Sequence, residues 1–157
     1  MSDTNFTNGV TLTDADWFND EDRLHYTIFG DPATAAAART TFLTYSGTYT
    51  PTLTNTTNVA ASTAYVCQYM RVGSVVTVSG RVDIDPTATG QIIMGMSLPI
   101  ASDFSAATEC GGACIPIAST AAYGIYGDLT NNRASIEGLA VSTANLTHTF
   151  SFTYLIV

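Results

Sequence analysis

Val75-Val76-Thr77-Val78-Ser79-Gly80-Arg81-Val82-Asp83-Ile84-Asp85 decides the fold class. Val76, Val78, Val82 and Ile84 occupy the even positions around Gly80, and Thr77, Ser79, Arg81, Asp83 and Asp85 fall between them. A period of two is that of an extended strand with one buried and one wet face. The C-terminal stretch repeats the pattern: Leu146, His148, Phe150, Phe152, Tyr154 and Ile156 alternate with Thr147, Thr149, Ser151 and Thr153. Aromatic and β-branched residues suit such a surface.

Further short apolar runs lie around these two: Thr48 to Leu53, Ala64 to Val72, Gln91 to Leu98, Ala113 to Ala118, Tyr123 to Leu129 and Arg133 to Val141. Turn-forming residues at Thr54-Asn55, Gly73-Ser74, Asp85-Pro86, Thr89-Gly90, Gly111-Gly112, Gly127-Asp128 and Asn131-Asn132 separate them. About eight strands joined by short polar connections predict a mainly β domain, a jelly-roll-like β-sandwich, over residues 47–157. Within Arg133 to Val141 the apolar phase flips at Gly138, which predicts a bulge.

Residues 1–46 read differently, as an anchoring segment with short helices. Seven of the thirteen acids fall between Met1 and Asp31. Thr13 is placed to cap a helix with Asp14 and Asp16 in its first turn, and Gly30 to end it; Asp31-Pro32 then starts a second short helix through Ala33 to Arg39. Trp17, Leu24 and Ile28 fall on one face of the first helix. So short a helical segment needs something to dock on, its own β domain, another copy or a larger partner, and Trp17, Phe18, Leu24 and Ile28 are the candidate partner-binding residues.

Composition narrows the function. The 157 residues are 46% hydrophobic, enough for one core, yet only 11% charged against the ~25% usual for soluble domains. Lysine is absent, and Arg23, Arg39, Arg71, Arg81 and Arg133 are scattered. A net charge of −8 without a basic cluster argues against nucleic acid and against anionic membranes. No run approaches ~20 apolar residues, and the N-terminus lacks the pattern of a signal peptide, so the expected place of synthesis is the cytoplasm.

Nothing in the pattern points to catalysis. Gly-X-Ser-X-Gly, phosphate-loop and dinucleotide signatures are missing, and His25 and His148 lack ligand spacing. Asp83 and Asp85 share a strand face roughly 6–7 Å apart, a distance compatible with acid/base work or a weak calcium site, but they read as two solvated acids before the Asp85-Pro86 turn. Cys67, Cys110 and Cys114 read as free thiols, with Cys110-Gly-Gly-Ala-Cys114 as a loop able to close on itself or to bridge to a neighbouring copy. The expectation is a protein without cofactor or metal that works by binding. Its candidate ligand surface is the Tyr-rich loop region with Tyr123, Tyr126, Asn131 and Asn132.

Particular words of the sequence add to this. Gly47-Thr-Tyr-Thr-Pro-Thr-Leu-Thr-Asn55, Asn58-Val-Ala-Ala-Ser-Thr-Ala-Tyr65, Tyr69-Met-Arg-Val-Gly-Ser-Val-Val-Thr-Val-Ser-Gly80, Ser97-Leu-Pro-Ile-Ala-Ser102 and Phe150-Ser-Phe-Thr-Tyr154 resemble a module of tailed-bacteriophage fibre, head-fibre and decoration proteins. Val10-Thr-Leu-Thr-Asp-Ala-Asp-Trp-Phe-Asn19 is similar to the N-terminal attachment segments of such fibres. The resemblance implies a virion surface protein, commonly a homotrimer, joined to capsid or tail proteins through its N-terminus with the β domain outward. A chain this short and without a shaft looks more like a capsid decoration or short head fibre than a long tail fibre. The alternative that the resemblance leaves open is a tail-fibre receptor-binding protein that recognises a host surface glycan.

Overall fold

The computed structural model describes residues 5–7, 10–11, 45–118 and 121–157. The chain divides into two compact units, Met1–Leu43 and Thr44–Val157. In the first, β1 (Asn5–Thr7) pairs antiparallel with β2 (Val10–Thr11). The expected helices, with Trp17, Phe18, Leu24 and Ile28, lie outside the described residues.

The second unit is mainly β. In chain order its strands are β3 (Tyr45–Tyr49), β4 (Leu53–Thr57), β5 (Val59–Ala64), β6 (Cys67–Val72), β7 (Val75–Pro86), β8 (Gly90–Met96), β9 (Cys110–Pro116), β10 (Tyr123–Asp128), β11 (Arg133–Ala140) and β12 (Leu146–Leu155). All ten belong to one antiparallel sheet, in the order β3-β6-β7-β12-β9-β10-β11-β8-β4, with β5 also on β7. The jelly-roll-like sandwich of about eight strands is therefore corrected: the described ladder is one continuous, curled, ten-stranded sheet rather than two hydrogen-bonded sheets.

The long strand β7 produces the curl. Along one edge it carries two partners in tandem, β6 against Val75–Ser79 and β5 against Val82–Pro86. The partner of β7 changes from β5 to β6 at Tyr65-Val66, beside Gly80, where a Cβ would sit 2.5 Å from Cys67 Sγ. Only glycine lets the strands approach so closely. From there β5 diverges from β6 and runs beside β4, the strand at the far end of the order, with Ser62 Oγ donating to Asn55 Oδ1 at 2.6 Å. Asn58, at φ +53, turns the chain from β4 into β5. Its side chain is fixed by Ala88, accepting from the backbone N–H and donating to the carbonyl, both at 2.8 Å.

The concave side holds the core. Val76, Val78, Val82 and Ile84 of β7 are fully buried, as their alternation predicts, and so are Ile92, Met94 and Met96 of β8 and Ile136 of β11. Phe150, Phe152 and Tyr154 of β12 are buried beside Gly80, Val78 and Val76 of β7, with Phe150 and Phe152 stacked at a centroid distance of 5.9 Å. Tyr154 reaches the loop after β8, donating to the Ile100 carbonyl at 2.7 Å and accepting from the Ile100 N–H at 3.2 Å. Its polar tip is thus satisfied inside an apolar setting.

Several local expectations fail for identifiable reasons. The Thr48 to Leu53 run breaks at Pro51, which has no N–H for a ladder, and Thr54-Asn55 continues as strand. Gly111-Gly112 is the interior of β9 rather than a turn. The register of β11 on β8 is unbroken from Ala134↔Met96 to Ala140↔Gly90, so Gly138 forms no bulge, and Leu139 and Val141 simply point into solvent.

Candidate interaction surface

The convex side of the sheet shows how the second unit meets its surroundings. Across β3, β6, β7, β12 and β9 the outward positions line up in rows set by the register. One row is Val72, Val75 and Leu155; the next is Ser46, Met70, Thr77, Thr153 and Gly111; the third is Thr48, Gln68, Ser79, Ser151 and Ala113. None of these residues carries a charge. Their polar groups partly satisfy one another: the Thr77 and Thr153 hydroxyls lie 3.1 Å apart, and Gln68 Nε2 donates to Ser79 Oγ at 3.0 Å. A groove of about 480 Å³ runs over this face, lined by Ser46, Thr48, Gln68, Met70, Thr77 and Ser79 among others.

Charge returns one row further along. Arg81 lays its guanidinium 3.9 Å from the centroid of the Tyr65 ring. Tyr65 donates its hydroxyl to Asp83 Oδ2 and Thr147 donates to Oδ1, each at 2.7 Å. These two hydrogen bonds, first that of Tyr65, hold the Asp83 carboxyl below its ordinary range, and the same bond raises the Tyr65 phenol. A glycosidase acid needs the opposite shift, toward a retained proton. Asp83 fastens the β5–β6 corner to β7 and β12; sequence reading missed this because Tyr65 and Thr147 are far apart in the chain.

The loop residues singled out in the sequence take different places. Tyr123 points into the core, only 4% exposed, with its ring stacked on His148. That corrects its assignment as a ligand-facing ring: position 123 falls on the inward phase of β10. Tyr126, on the opposite phase and 37% exposed, does reach the surface, and burial, then a hydrogen bond to Glu137, pushes its phenol up to about 12. Asn131 donates its amide to Asp128 Oδ2 at 2.8 Å within the β10–β11 turn. Asn132, at φ +50, accepts from the Phe104 N–H at 3.0 Å and donates to Asp103 at 2.7 Å. Arg133 closes the turn on Asp128 at 2.8 Å. The two asparagines are thus committed to shaping the loop, although both remain exposed.

Cys67, Cys110 and Cys114 are buried free thiols, and burial pushes Cys110 and Cys114 up to about 12. Cys110 and Cys114 point inward four residues apart on one extended strand, about 13 Å. A disulfide tolerates no more than ~7 Å between Cα atoms, so the self-closing loop is ruled out. Among the described residues no cluster of three or more His, Cys, Asp or Glu side chains is arranged to hold a metal, and no helix is long and apolar enough to cross a membrane.

Fold and surface together define a curled antiparallel β unit with three uncharged rows on its convex face. No protein-family model and no curated protein sequence matches the chain. Among solved structures it is similar to a reovirus attachment protein, sigma1, crystallised in complex with alpha-2,3-sialyllactose, at 12% identity and a TM-score of 0.44 over 75% of this chain and 68% of that one. It is also similar to the receptor-binding protein gp15 of Listeria phage PSA, at 20% identity and a TM-score of 0.43 over 94% of this chain and 89% of that one. At this distance neither likeness assigns a function.

Proposed function

We propose that this chain is a non-enzymatic virion structural protein, a homotrimeric capsid decoration or short head fibre. It is held to a capsid or tail protein by residues 1–43, with Trp17, Phe18, Leu24 and Ile28 as the anchor, and it displays the β unit, to which β3 from Tyr45 onward belongs. The observation that supports binding over chemistry is the convex face, where three rows across five strands carry hydroxyl, amide, small and apolar side chains without a charge. The titratable groups beside it are tied into structural bonds, Asp83 by Tyr65 and Thr147, Asp128 by Asn131 and Arg133. The protein assembles in the host cytoplasm and acts on the particle. Deleting residues 1–43 leaves a unit with its own core; the truncated chain is expected to fold and to be missing from purified particles, and its presence there at wild-type levels would refute the anchoring role.

A second reading, a tail-fibre receptor-binding protein for a host surface glycan, draws on the groove over β3, β6 and β7 and on the exposed edge of Tyr126. Hydroxyl and amide groups beside an apolar Met70 suit a neutral sugar. A glycan array separates the readings: selective binding supports the receptor role, and none is expected of a decoration protein.

A further inference from the structure

We infer that copies of this chain pack on one another through the convex face of β3, β6, β7, β12 and β9, an assignment that rests on the homotrimer reading and places its interface. Charge selects the occupant. The chain carries −8 overall, so copies repel wherever acids meet. The acids of the second unit are Asp83, Asp85, Asp103, Glu109, Asp128 and Glu137. None stands in the three rows from Val72–Val75–Leu155 to Gln68–Ser79–Ser151. Within these three rows a basic partner would find no acid and a nucleic acid no cation; the nearest charges, Arg81 and Asp83, stand beyond them and are held by Tyr65 and Thr147. The surface that matches an uncharged face is another uncharged face, and a second copy supplies one.

The face is also inexpensive to bury. Unpartnered polar groups resist desolvation, whereas here the Thr77–Thr153 and Gln68–Ser79 pairs already bond within the chain. Met70, Val72, Val75 and Leu155, 39–56% exposed, form an adjoining apolar cluster that gains from being covered. The groove over β3, β6 and β7 becomes a receptacle for side chains of the neighbouring copy, and the glycan of the second reading is displaced from it. The β3–β6 half and the β12–β9 half of this face, on either side of β7, allow head-to-tail contacts that close into a ring.

Light scattering on the full chain tests this. Wild type is expected at three times the 16.5 kDa chain mass. Ser151→Asp and Met70→Asp on the face are expected to give folded monomers, while Leu139→Asp, which places the same charge at a 66% exposed position outside it, remains trimeric. A wild-type monomer would sink both the trimer reading and the interface. A wild-type trimer that survives both face substitutions leaves the trimer standing and overturns the interface alone. Should the charged variants misfold, Thr153→Cys and Leu139→Cys serve instead, because the native thiols are all buried. Maleimide labelling at 153 is expected to be at least tenfold slower than at 139 in the trimer; equal rates overturn the proposal. Slow labelling at 153 in a monomer also overturns it, since the chain's own residues 1–43 would then be the cover.

Discussion

The His148 imidazole stacks on the Tyr123 ring with centroids 5.1 Å apart, and its Nδ1 lies 2.8 Å from the Leu146 carbonyl oxygen. A carbonyl only accepts, so Nδ1 carries the proton and the ring is the neutral Nδ1–H tautomer. Nε2 finds no hydrogen-bond partner among the described residues, and the side chain is 1% exposed. Protonating Nε2 would bury a charged donor with nothing to receive it.

A pH dependence follows from that pair. Burial lowers the His148 pKa below 6.5, outweighing the opposing pull of the Leu146 carbonyl and of Asp83. The unfolded chain takes up this proton first as pH falls, so stability is full above about pH 6.5 and declines below it. The melting temperature is expected to hold from pH 8 to 7 and to drop between pH 6.5 and 5. In His148→Phe, which keeps an aromatic ring on Tyr123, that portion of the drop should vanish; an unchanged profile would assign it elsewhere.

Thiol chemistry gives a second expectation. All three cysteines are buried, with their pKa values raised by burial. The thiolate is the reactive form, so a disulfide reagent should titrate almost nothing in minutes at pH 8 and three thiols in denaturant. A fast-reacting native thiol, or a disulfide-linked dimer on a non-reducing gel, contradicts the burial described.

Neighbouring glycines on β9 should respond oppositely to the same change. A Cβ at Gly112 would overlap Phe152 and the Ser151 carbonyl, whereas one at Gly111 meets nothing within 4 Å. Gly112→Ala is expected to cost about 1–3 kcal/mol of stability by overpacking, and Gly111→Ala to stay within ~0.5 kcal/mol. Denaturant melts of the two variants check the contrast; equal losses would mean that Phe152 does not pack where described.

The same glycines show what was legible in the sequence. Strands β7 and β12 could be read directly, because a half-buried strand writes its burial into a period of two. Gly111-Gly112 could not: a glycine pair signals a turn locally, and the reason for glycine here is Phe152, forty residues away in the chain. Gly138 is similar, since the Tyr123 ring fills the place of its Cβ and the apolar residues beyond it are exposed rather than shifted by a bulge. One curled sheet instead of a sandwich depends on β7 holding β5 and β6 in tandem, a long-range pairing that alternation does not encode. Of the proposed ligand residues, alternation within β10 already placed Tyr123 and Tyr126 on opposite faces. The Tyr65–Asp83–Thr147 corner, by contrast, left no local signal.

The most direct measurement of the central claim is cryo-electron microscopy of intact particles. Copies of this chain are expected on the particle surface in threefold clusters, with residues 44–157 outward and density from residues 1–43 entering a capsid or tail subunit. Particles that lack the chain, or that hold it as single copies bound through the β unit, would contradict it.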